Sequence, residues 1–436
     1  YQMRILRKKI ILKGTDTYYY REKLANGLDV ILLPDENSKK KNYFINLGTY
    51  YGALTNSFEP VGKKKMVDFP HGIAHFLEHK CFEMKEEPAP FEFYASTGSY
   101  VNAFTNYDTT CYVVSGNKKF KENLEELLNF VLTPYFTDEN VLKEQGIITE
   151  EIHMREDDPD YQTFCTLADN LYHEYPLKYP VAGKDTDIKN ITKELLYDCY
   201  NTFYRPENMF LVIGGVFNVD EVIPLVNSKF NKLGFTNNNS KVKKKVIHEK
   251  LEVVKEEETI IKDVKREKLC IGYKMKRDSF PIKDDMILDL YLNMLLSINF
   301  GNTSIFQEKV RNNNLAMMDG YCFDKAGDIL TFIVETDILD EDGYLALLNE
   351  KLNNLAVDVK DLERVKKVWI SSEVMKTDYK EAMVNSIVTD LNLYHDFCDH
   401  YINLIRDMNI ETMNKVIKCL SFKNKALVRM ISKKDE

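Results

Sequence analysis

Runs of apolar residues and their periods divide the chain into short strands and helices. Apolar runs at 29–33 and 43–47, separated by a turn, predict a pair of strands. Helical spacing predicts helices at 121–132 and 193–203, and the apolar run at 210–215 predicts a buried strand. Strands and helices mixed in this way, with hairpins, predict an α+β fold with mainly antiparallel sheets rather than a doubly wound parallel sheet.

A polar, charged stretch divides the chain into two halves. It covers 232–258, with Asn237-Asn238-Asn239-Ser240 at its centre. We therefore predict a first domain at 1–231, a linker at 232–258 and a second domain at 259–436.

The second half looks like a degenerate copy of the first. A helix predicted at 285–300 takes the place of the helix that begins near Gly72. The stretches 308–319 and 329–335 parallel the region 98–115. Such a weak internal repeat predicts two similar domains.

Composition narrows the class of protein. With 436 residues, of which 44% are hydrophobic, the chain is long enough to bury more than one core. A net charge of −9 disfavours nucleic acid as a partner. The short lysine runs at 39–41, 63–65 and 243–245 indicate solvated loops, although a basic rim could also serve acidic peptides.

The cysteines and the chain start bear on the compartment. The cysteines have no paired spacing, so we expect free thiols in a reducing compartment; they stand at 81, 111, 165, 199, 270, 322, 398 and 419. The sequence has no run of about 18 uninterrupted apolar residues, so we expect no membrane span. The start, Tyr1 to Arg4, shows no apolar signal segment, and we expect a cytoplasmic protein.

Residues 75–79 carry the most informative chemistry, the pentapeptide His-Phe-Leu-Glu-His. On a helix, positions four apart lie on one face, so His75 and His79 can point two imidazoles at one metal ion. Glu78 emerges beside that face, within reach of a water at the metal. Two imidazoles, a carboxylate and a third ligand from elsewhere are the parts of a hydrolytic zinc site, here in the inverted H-x-x-E-H order of inverzincins.

Two other interpretations of the pentapeptide stay open. An amphipathic helix could carry both histidines at the surface or core edge, with Glu78 as a solvated charge. A structural zinc site would close its fourth position, usually with cysteines, and Cys81 is near, but no C-x-x-C accompanies it.

An acidic helix predicted at 137–152 offers the third ligand. Thr137 or Asp138 can cap its start, and Glu144 and Glu151, two turns apart, share one face. Its apolar positions at helical spacing are Val141, Leu142, Ile148 and Ile152. Two carboxylates near an apolar stripe are costly to bury without partners, so one is a candidate ligand and the other its support. Two ordinary surface glutamates are the alternative.

Together these residues resemble the pitrilysin, insulysin and mitochondrial processing peptidase family, most of all its bacterial processing-peptidase branch. The similarity covers about residues 20–220 and becomes diffuse beyond them. Besides the pentapeptide it rests on Asp68-Phe69-Pro70-His71-Gly72-Ile73-Ala74, Asn102-Ala103-Phe104-Thr105, Glu144-Gln145-Gly146-Ile147-Ile148, Tyr204-Arg205-Pro206 and Asn208-Met209.

The resemblance implies roles for the acidic and imidazole side chains. It implies one zinc ion per chain, with His75, His79 and Glu151 as ligands. Glu78 would be the general base, and Glu144 a catalytic carboxylate that supports the ligands. Glu151 is preferred over His71 as third ligand because sites of this order use a downstream glutamate.

The resemblance also implies a substrate edge and a domain arrangement. Asn102, Ala103 and Phe104 would lie in an edge strand beside the metal, where an extended peptide pairs as an added strand. A plain core strand is the alternative. The two similar domains would face each other as a clamshell.

One departure from the family pattern concerns the second half. Self-sufficient members carry an arginine followed six or seven residues later by a tyrosine, both contacting substrate. This chain keeps Arg311 but has Met317 and Met318 at the tyrosine place, and Tyr321 is out of register. We therefore expect a homo- or heterodimer, in which this chain bears zinc and a related chain supplies the Arg/Tyr pair.

The leading functional prediction is a zinc metalloendopeptidase. It would cleave peptides or unfolded segments in an enclosed chamber, either to process precursors or to degrade oligopeptides, with no nucleic acid or membrane partner. A non-catalytic peptide-binding or scaffold subunit is the second hypothesis. A metal-dependent hydrolase of non-peptide substrates ranks last because the chain has no phosphate loop or comparable substrate signature.

Overall fold

A computed structural model describes residues 8–235 and 241–433. The chain start from Tyr1 to Arg4 and the centre of the predicted linker, Asn237 to Ser240, lie outside the described residues. None of the helices in the described ranges combines the length and the apolar character that a membrane crossing requires. All eight cysteines are free thiols, as expected.

Strands and helices alternate through both halves of the described chain. The strands are β1 Ile10–Ile11, β2 Tyr18–Lys23, β3 Asp29–Pro34, β4 Tyr43–Thr49, β5 Ser57–Phe58, β6 Val67–Asp68, β7 Tyr100–Thr105, β8 Thr110–Gly116, β9 Met209–Gly215, β10 Glu257–Ile261, β11 Lys268–Lys276, β12 Ala316–Ala326, β13 Ile329–Ile338 and β14 Asn424–Ile431. The helices are α1 Ile73–Cys81, α2 Pro90–Thr97, α3 Phe120–Leu132, α4 Asp138–Glu156, α5 Pro159–Leu171, α6 Asp185–Ile188, α7 Lys193–Phe203, α8 Val219–Lys232, α9 Asp285–Phe300, α10 Ile305–Asn312, α11 Glu341–Asn353, α12 Val359–Lys376, α13 Lys380–Tyr394, α14 Tyr401–Asp407 and α15 Ile410–Cys419.

The first compact unit is a sheet with apolar packing on both faces. It gathers the described residues within Tyr1–Ile152, Pro180–Lys245 and Glu373–Tyr401. Its strand order is β1-β2-β3-β9-β4-β8-β7; β3 pairs with β9 in parallel and the other neighbours pair antiparallel. β9 is buried along its whole length, which matches the apolar run predicted at 210–215.

Alternation along β9 explains why helices are needed on each face. Successive side chains of a strand point to opposite faces. Leu211 packs in the larger core, with residues of α1, α3, α7 and α8. Val212 packs in a second cluster, with Val384 and Ile387 of α13. The 373–401 segment thus completes the first unit.

The second compact unit repeats this plan. It gathers the described residues within His153–Tyr179, Val246–Ser372 and Ile402–Glu436. Its strand order is β10-β14-β11-β13-β12, with β10 and β14 parallel and the other neighbours antiparallel. In the second unit, helix α9 comes after β11. In the first unit, α1 likewise comes after β4 and the two short strands β5 and β6. The predicted α+β class, with two similar domains and mainly antiparallel sheets, is confirmed.

The grouping by contacts is a different division from the linear one predicted above. Residues 153–179 group with the second unit and residues 373–401 with the first. The described part of the predicted linker also does more than connect, since Glu249 within it is buried.

Glu249 forms a buried ion pair in the second unit. Its Oε1 lies 2.8 Å from Nζ of Lys274 on β11, and both side chains are fully inaccessible to solvent. Its carboxylate also accepts hydrogen bonds from the backbone N–H groups of His173, Glu174 and Tyr175. The pair therefore ties the 246–256 segment and the 173–175 turn to the sheet.

Candidate metal centre

Two glycines fix the beginning of α1, the helix of the H-x-x-E-H pentapeptide. Gly72 precedes the helix with φ of 83°, and a Cβ there would lie 2.3 Å from the carbonyl oxygen of Ala182. Gly183 has φ of 75°, and a Cβ there would lie 2.5 Å from the carbonyl oxygen of His71. Side chains are strained at these φ values and have no room here, so glycine is required at both positions.

Helix α4 brings the acidic residues to the site. Its start is closed by a reciprocal pair: the Asn140 N–H donates to Thr137 Oγ1, and the Thr137 N–H donates to Asn140 Oδ1. Thr137 is thus the cap that the sequence allowed. Glu144 lies on the buried face of the helix together with Val141, Ile148 and Ile152. Leu142, predicted to belong to that face, is instead 70% exposed because it is rotated about 100° from Val141 around the helix axis.

Three side chains from these two helices converge. Nε2 of His75 lies 3.7 Å from Oε1 of Glu151, and Nε2 of His79 lies 3.6 Å from Oε2 of Glu151. One donor atom from each of the three residues falls within 4.8 Å of the others. His71, the alternative third ligand, does not belong to this group.

Glu144 orients one of the two imidazoles. Oε1 of Glu144 lies 3.0 Å from Nδ1 of His79. An ionised carboxylate can only accept, so the Nδ1–H donates and Nε2 keeps the lone pair that faces Glu151. Burial lowers the pKa of His79, but the hydrogen bond to Glu144 and the charges of Glu78, Glu144 and Glu151 outweigh it and leave the pKa above its ordinary value.

The donor set fits zinc. Two imidazole nitrogens and one carboxylate oxygen are a ligand set of catalytic zinc sites, which keep a further position open. A carboxylate on the second nitrogen of a ligating histidine is the usual outer support of such a site, and Glu144 has that place on His79.

Glu78 is buried and is held by a neighbouring strand. Glu78 stands between His75 and His79 on α1, and it is 7% exposed. The hydroxyl of Thr105, the last residue of β7, donates to Oε2 of Glu78 at 2.7 Å. Thr105 stood in the stretch that carried the family resemblance, but the pattern did not show that it contacts Glu78.

Lys80 is a second residue that the sequence analysis missed. It follows His79 directly, yet its side chain is completely buried. Its Nζ donates to the carbonyl oxygen of Asn140 at 3.1 Å and pairs with Glu83. Lys80 therefore ties the end of α1 to the first turn of α4, so the helices of the two histidines and the two glutamates are joined directly.

The residues predicted to bind substrate lie in two places. Asn102, Ala103 and Phe104 belong to β7, which is the last strand of the first sheet in the described chain and adjoins α1 through Thr105. Arg311 lies on α10 in the second unit, where its side chain is exposed and donates to the carbonyl oxygen of Asn302. Substrate contact by these residues stays a prediction.

The fold and this site belong to a known class of proteins. The sequence model of the insulinase family, peptidase family M16, matches residues 67–185, and that of the peptidase M16 inactive domain matches residues 190–368. The chain belongs to the M16 peptidase family, which confirms the resemblance stated from the pentapeptide and its surroundings.

Individual relatives support the same assignment. The uncharacterized zinc protease YmfH of Bacillus subtilis (strain 168) is 38% identical over 291 residues, 67% of this chain and 67% of that protein. An uncharacterized zinc protease of Rickettsia felis is 26% identical over 220 residues, 48% of this chain and 49% of that protein, so this alignment spans about half its length. The crystal structure of a "putative M16-like peptidase" from Alicyclobacillus acidocaldarius superimposes with a TM-score of 0.89 at 27% identity, over 97% of this chain and 100% of that one.

Proposed function

We propose that this chain is a zinc-dependent metalloendopeptidase that cleaves peptides or unfolded segments. The observation that carries the proposal is the convergence of His75, His79 and Glu151, whose donor atoms fall within 4.8 Å of one another. Glu78 stands one residue before His79 on the same helix. Names of relatives as zinc proteases support the same activity.

Each residue has a defined task in the proposed reaction. His75, His79 and Glu151 would hold zinc. A zinc ion held in this way would polarise the peptide carbonyl and would lower the pKa of its bound water to about 7. Glu78 accepts the proton of the attacking water and returns it to the leaving amine nitrogen. Glu144 keeps His79 in the tautomer whose Nε2 can ligate.

Substrate would bind as an extended strand. β7 stands at the edge of its sheet, so main-chain groups on that side can pair with a peptide largely independently of its sequence. Main-chain pairing suits both trimming of a precursor and degradation of oligopeptides. A cleavage-site profile of a peptide library separates the two, because trimming predicts a narrow profile and degradation a broad one.

We also propose that full activity requires a related second chain. Arg311 is exposed, whereas Tyr321, the tyrosine nearest to the expected place, has its hydroxyl engaged. The Tyr321 hydroxyl donates to Oδ2 of Asp319 at 2.5 Å and lies 2.6 Å from the hydroxyl of Tyr344. Native mass measurement with and without a co-expressed relative tests this proposal, and full activity of the isolated monomer contradicts it.

The experiment that tests the activity compares the wild type with Glu78→Gln. We would measure zinc per chain and cleavage of a quenched peptide library, with Glu92→Gln on the exposed face of α2 as matched control. Stoichiometric zinc in all three proteins, with turnover in the wild type and the control alone, supports the peptidase and its base. Equal turnover in Glu78→Gln removes Glu78 from the mechanism.

A non-catalytic peptide-binding subunit is the second candidate function. One observation favours it: the model that matches residues 190–368 is that of an inactive domain. Zinc-loaded wild type that binds library peptides but never cleaves them, alone or with a related chain, would establish this alternative.

A further inference from the structure

We propose that Thr105 is a positioning residue for catalysis: its hydroxyl sets the orientation of the Glu78 carboxylate. This inference rests on the proposed peptidase function, since it names a residue that prepares the general base. The contact that supports it is the 2.7 Å hydrogen bond from Thr105 Oγ1 to Glu78 Oε2.

The strand pattern explains why Thr105 meets the helix. Side chains alternate along β7: Tyr100, Asn102 and Phe104 are exposed, whereas Val101 is buried. Thr105 belongs to the same side of the strand as Val101 and is partly buried. Its register is fixed by pairing with Thr110 on β8 and by the turn that follows, where the Asn106 N–H donates to the Thr109 carbonyl.

Counting hydrogens shows that the bond has one possible direction. A hydroxyl has one hydrogen, and an ionised carboxylate has none to give. The Thr105 hydrogen is therefore committed to Glu78. Thr110 Oγ1 lies 3.3 Å from Thr105 Oγ1 and gives its own hydrogen to the Tyr51 carbonyl oxygen at 2.9 Å, so toward Thr105 it could only accept. The Glu78 oxygen, at 2.7 Å and charged, is the nearer and stronger acceptor for the Thr105 hydrogen.

Burial makes the orientation of Glu78 consequential. A carboxylate that is 7% exposed depends on hydrogen-bond donors, and a hydrogen bond to an ionised group is stronger than one between neutral groups. With Oε2 held by Thr105, the plane and the remaining lone pairs of the carboxylate have a preferred direction. A displacement of a catalytic group by about 1 Å can cost on the order of 100-fold in rate.

Two substitutions separate the hydroxyl from the shape of the side chain. Thr105→Val keeps the volume and the branching but removes the hydrogen, whereas Thr105→Ser keeps the hydrogen and loses a methyl group. Thr109→Val is the matched control, because Thr109 is a buried threonine of the same hairpin whose hydroxyl bonds Asn392 and Asn106. The four proteins would be compared for kcat, KM and zinc affinity by chelator competition.

The expected result is a loss confined to kcat. We expect Thr105→Val to lower kcat by about 10- to 100-fold with KM and zinc affinity unchanged, and Thr105→Ser to restore most of it. Thr109→Val is expected to keep the wild-type kcat. Wild-type kcat in Thr105→Val, no rescue by serine, an equal loss in Thr109→Val, or a loss that follows zinc or KM would each overturn the inference.

The same assay tells this inference apart from the proposed function. Turnover in the wild type with an unaffected Thr105→Val variant refutes only the role of Thr105. A zinc-loaded wild type without turnover, alone and with a co-expressed related chain, refutes the peptidase proposal and this inference with it.

Discussion

Replacing Lys274 by methionine removes one half of the fully buried ion pair in the second unit. Lys274 Nζ donates to Glu249 Oε1 at 2.8 Å, to the Leu171 carbonyl at 2.8 Å and to the Glu252 carbonyl at 3.3 Å. Three acceptors require the ammonium form, although burial lowers the pKa of Lys274 and Glu249 opposes that shift. Burial alone would raise the pKa of Glu249, but Lys274 and three backbone N–H groups hold it below the ordinary value.

The expected cost follows from what remains after the substitution. Removing one partner of a buried ion pair leaves an uncompensated charge and costs about 3–5 kcal/mol of unfolding free energy. Glu249→Gln leaves the Lys274 ammonium as the uncompensated buried charge and should cost a similar amount of unfolding free energy. The double variant leaves no buried charge, so we expect it to be at least about 1 kcal/mol less destabilised than the sum of the single variants.

Hydrogen exchange measures this locally. Exchange of the amides of His173, Glu174 and Tyr175, which donate to Glu249, should accelerate on the order of 100-fold in either single variant. Calorimetry reports the accompanying drop in melting temperature. Two results would refute the reasoning: single variants whose unfolding free energy lies within about 0.5 kcal/mol of the wild type, or effects that add strictly in the double variant. Both are expected of an ion pair at the protein surface, which contributes little to stability.

Substitutions at three further positions address the site and the first unit. Lys80→Met removes the link between α1 and α4 and should weaken zinc binding by about 10- to 100-fold in a chelator competition, whereas Lys85→Met at an exposed position should not. Glu144→Ala should weaken zinc binding by about 10- to 100-fold, and Glu144→Gln by less, because an amide oxygen can still accept from His79. Equal zinc affinity in the wild type and both variants would contradict the role of Glu144 in supporting His79. Burial raises the pKa of Asp390 to about 6, so its folded form binds a proton more tightly than the unfolded form and stability falls as pH rises from about 4 to about 6. Asp390→Asn should abolish this dependence and add about 1–3 kcal/mol at pH 7, measured by denaturant unfolding over that pH range.

Local features of the fold follow closely from the sequence. α7 and α9 occupy the predicted 193–203 and 285–300 because each has a capping side chain at its start, Thr192 and Asp284, and an apolar face of helical period. The candidate metal ligands were also predictable in part, since H-x-x-E-H places His75 and His79 on one face by helix geometry alone. The third, Glu151, came from resemblance, and α4 brings it into the group.

Features that depend on distant contacts could not be predicted in this way. Thr105 and Glu78 are 27 residues apart, and Lys80 and Asn140 are 60 apart, so no period connects them. Glu249 lies in a stretch whose composition indicates an exposed linker, and only the approach of Lys274 makes its burial tolerable. The same holds for residues 373–401, whose place in the first unit is decided by packing against β9 rather than by position in the chain.

The side chain of Asn102 has a consequence for solubility. A strand at the edge of a sheet exposes unpaired main-chain groups, and such an edge invites other copies of the chain to pair with it. On β7, the Asn102 Oδ1 accepts from the Ala103 N–H at 2.9 Å, so a side chain already occupies one main-chain donor. An incoming strand can displace one such hydrogen bond. While the bond is in place, it leaves one donor fewer for chance pairing with another copy of the chain. If a peptide pairs with this edge as proposed, the same edge can accept it while it resists pairing with other copies of the chain.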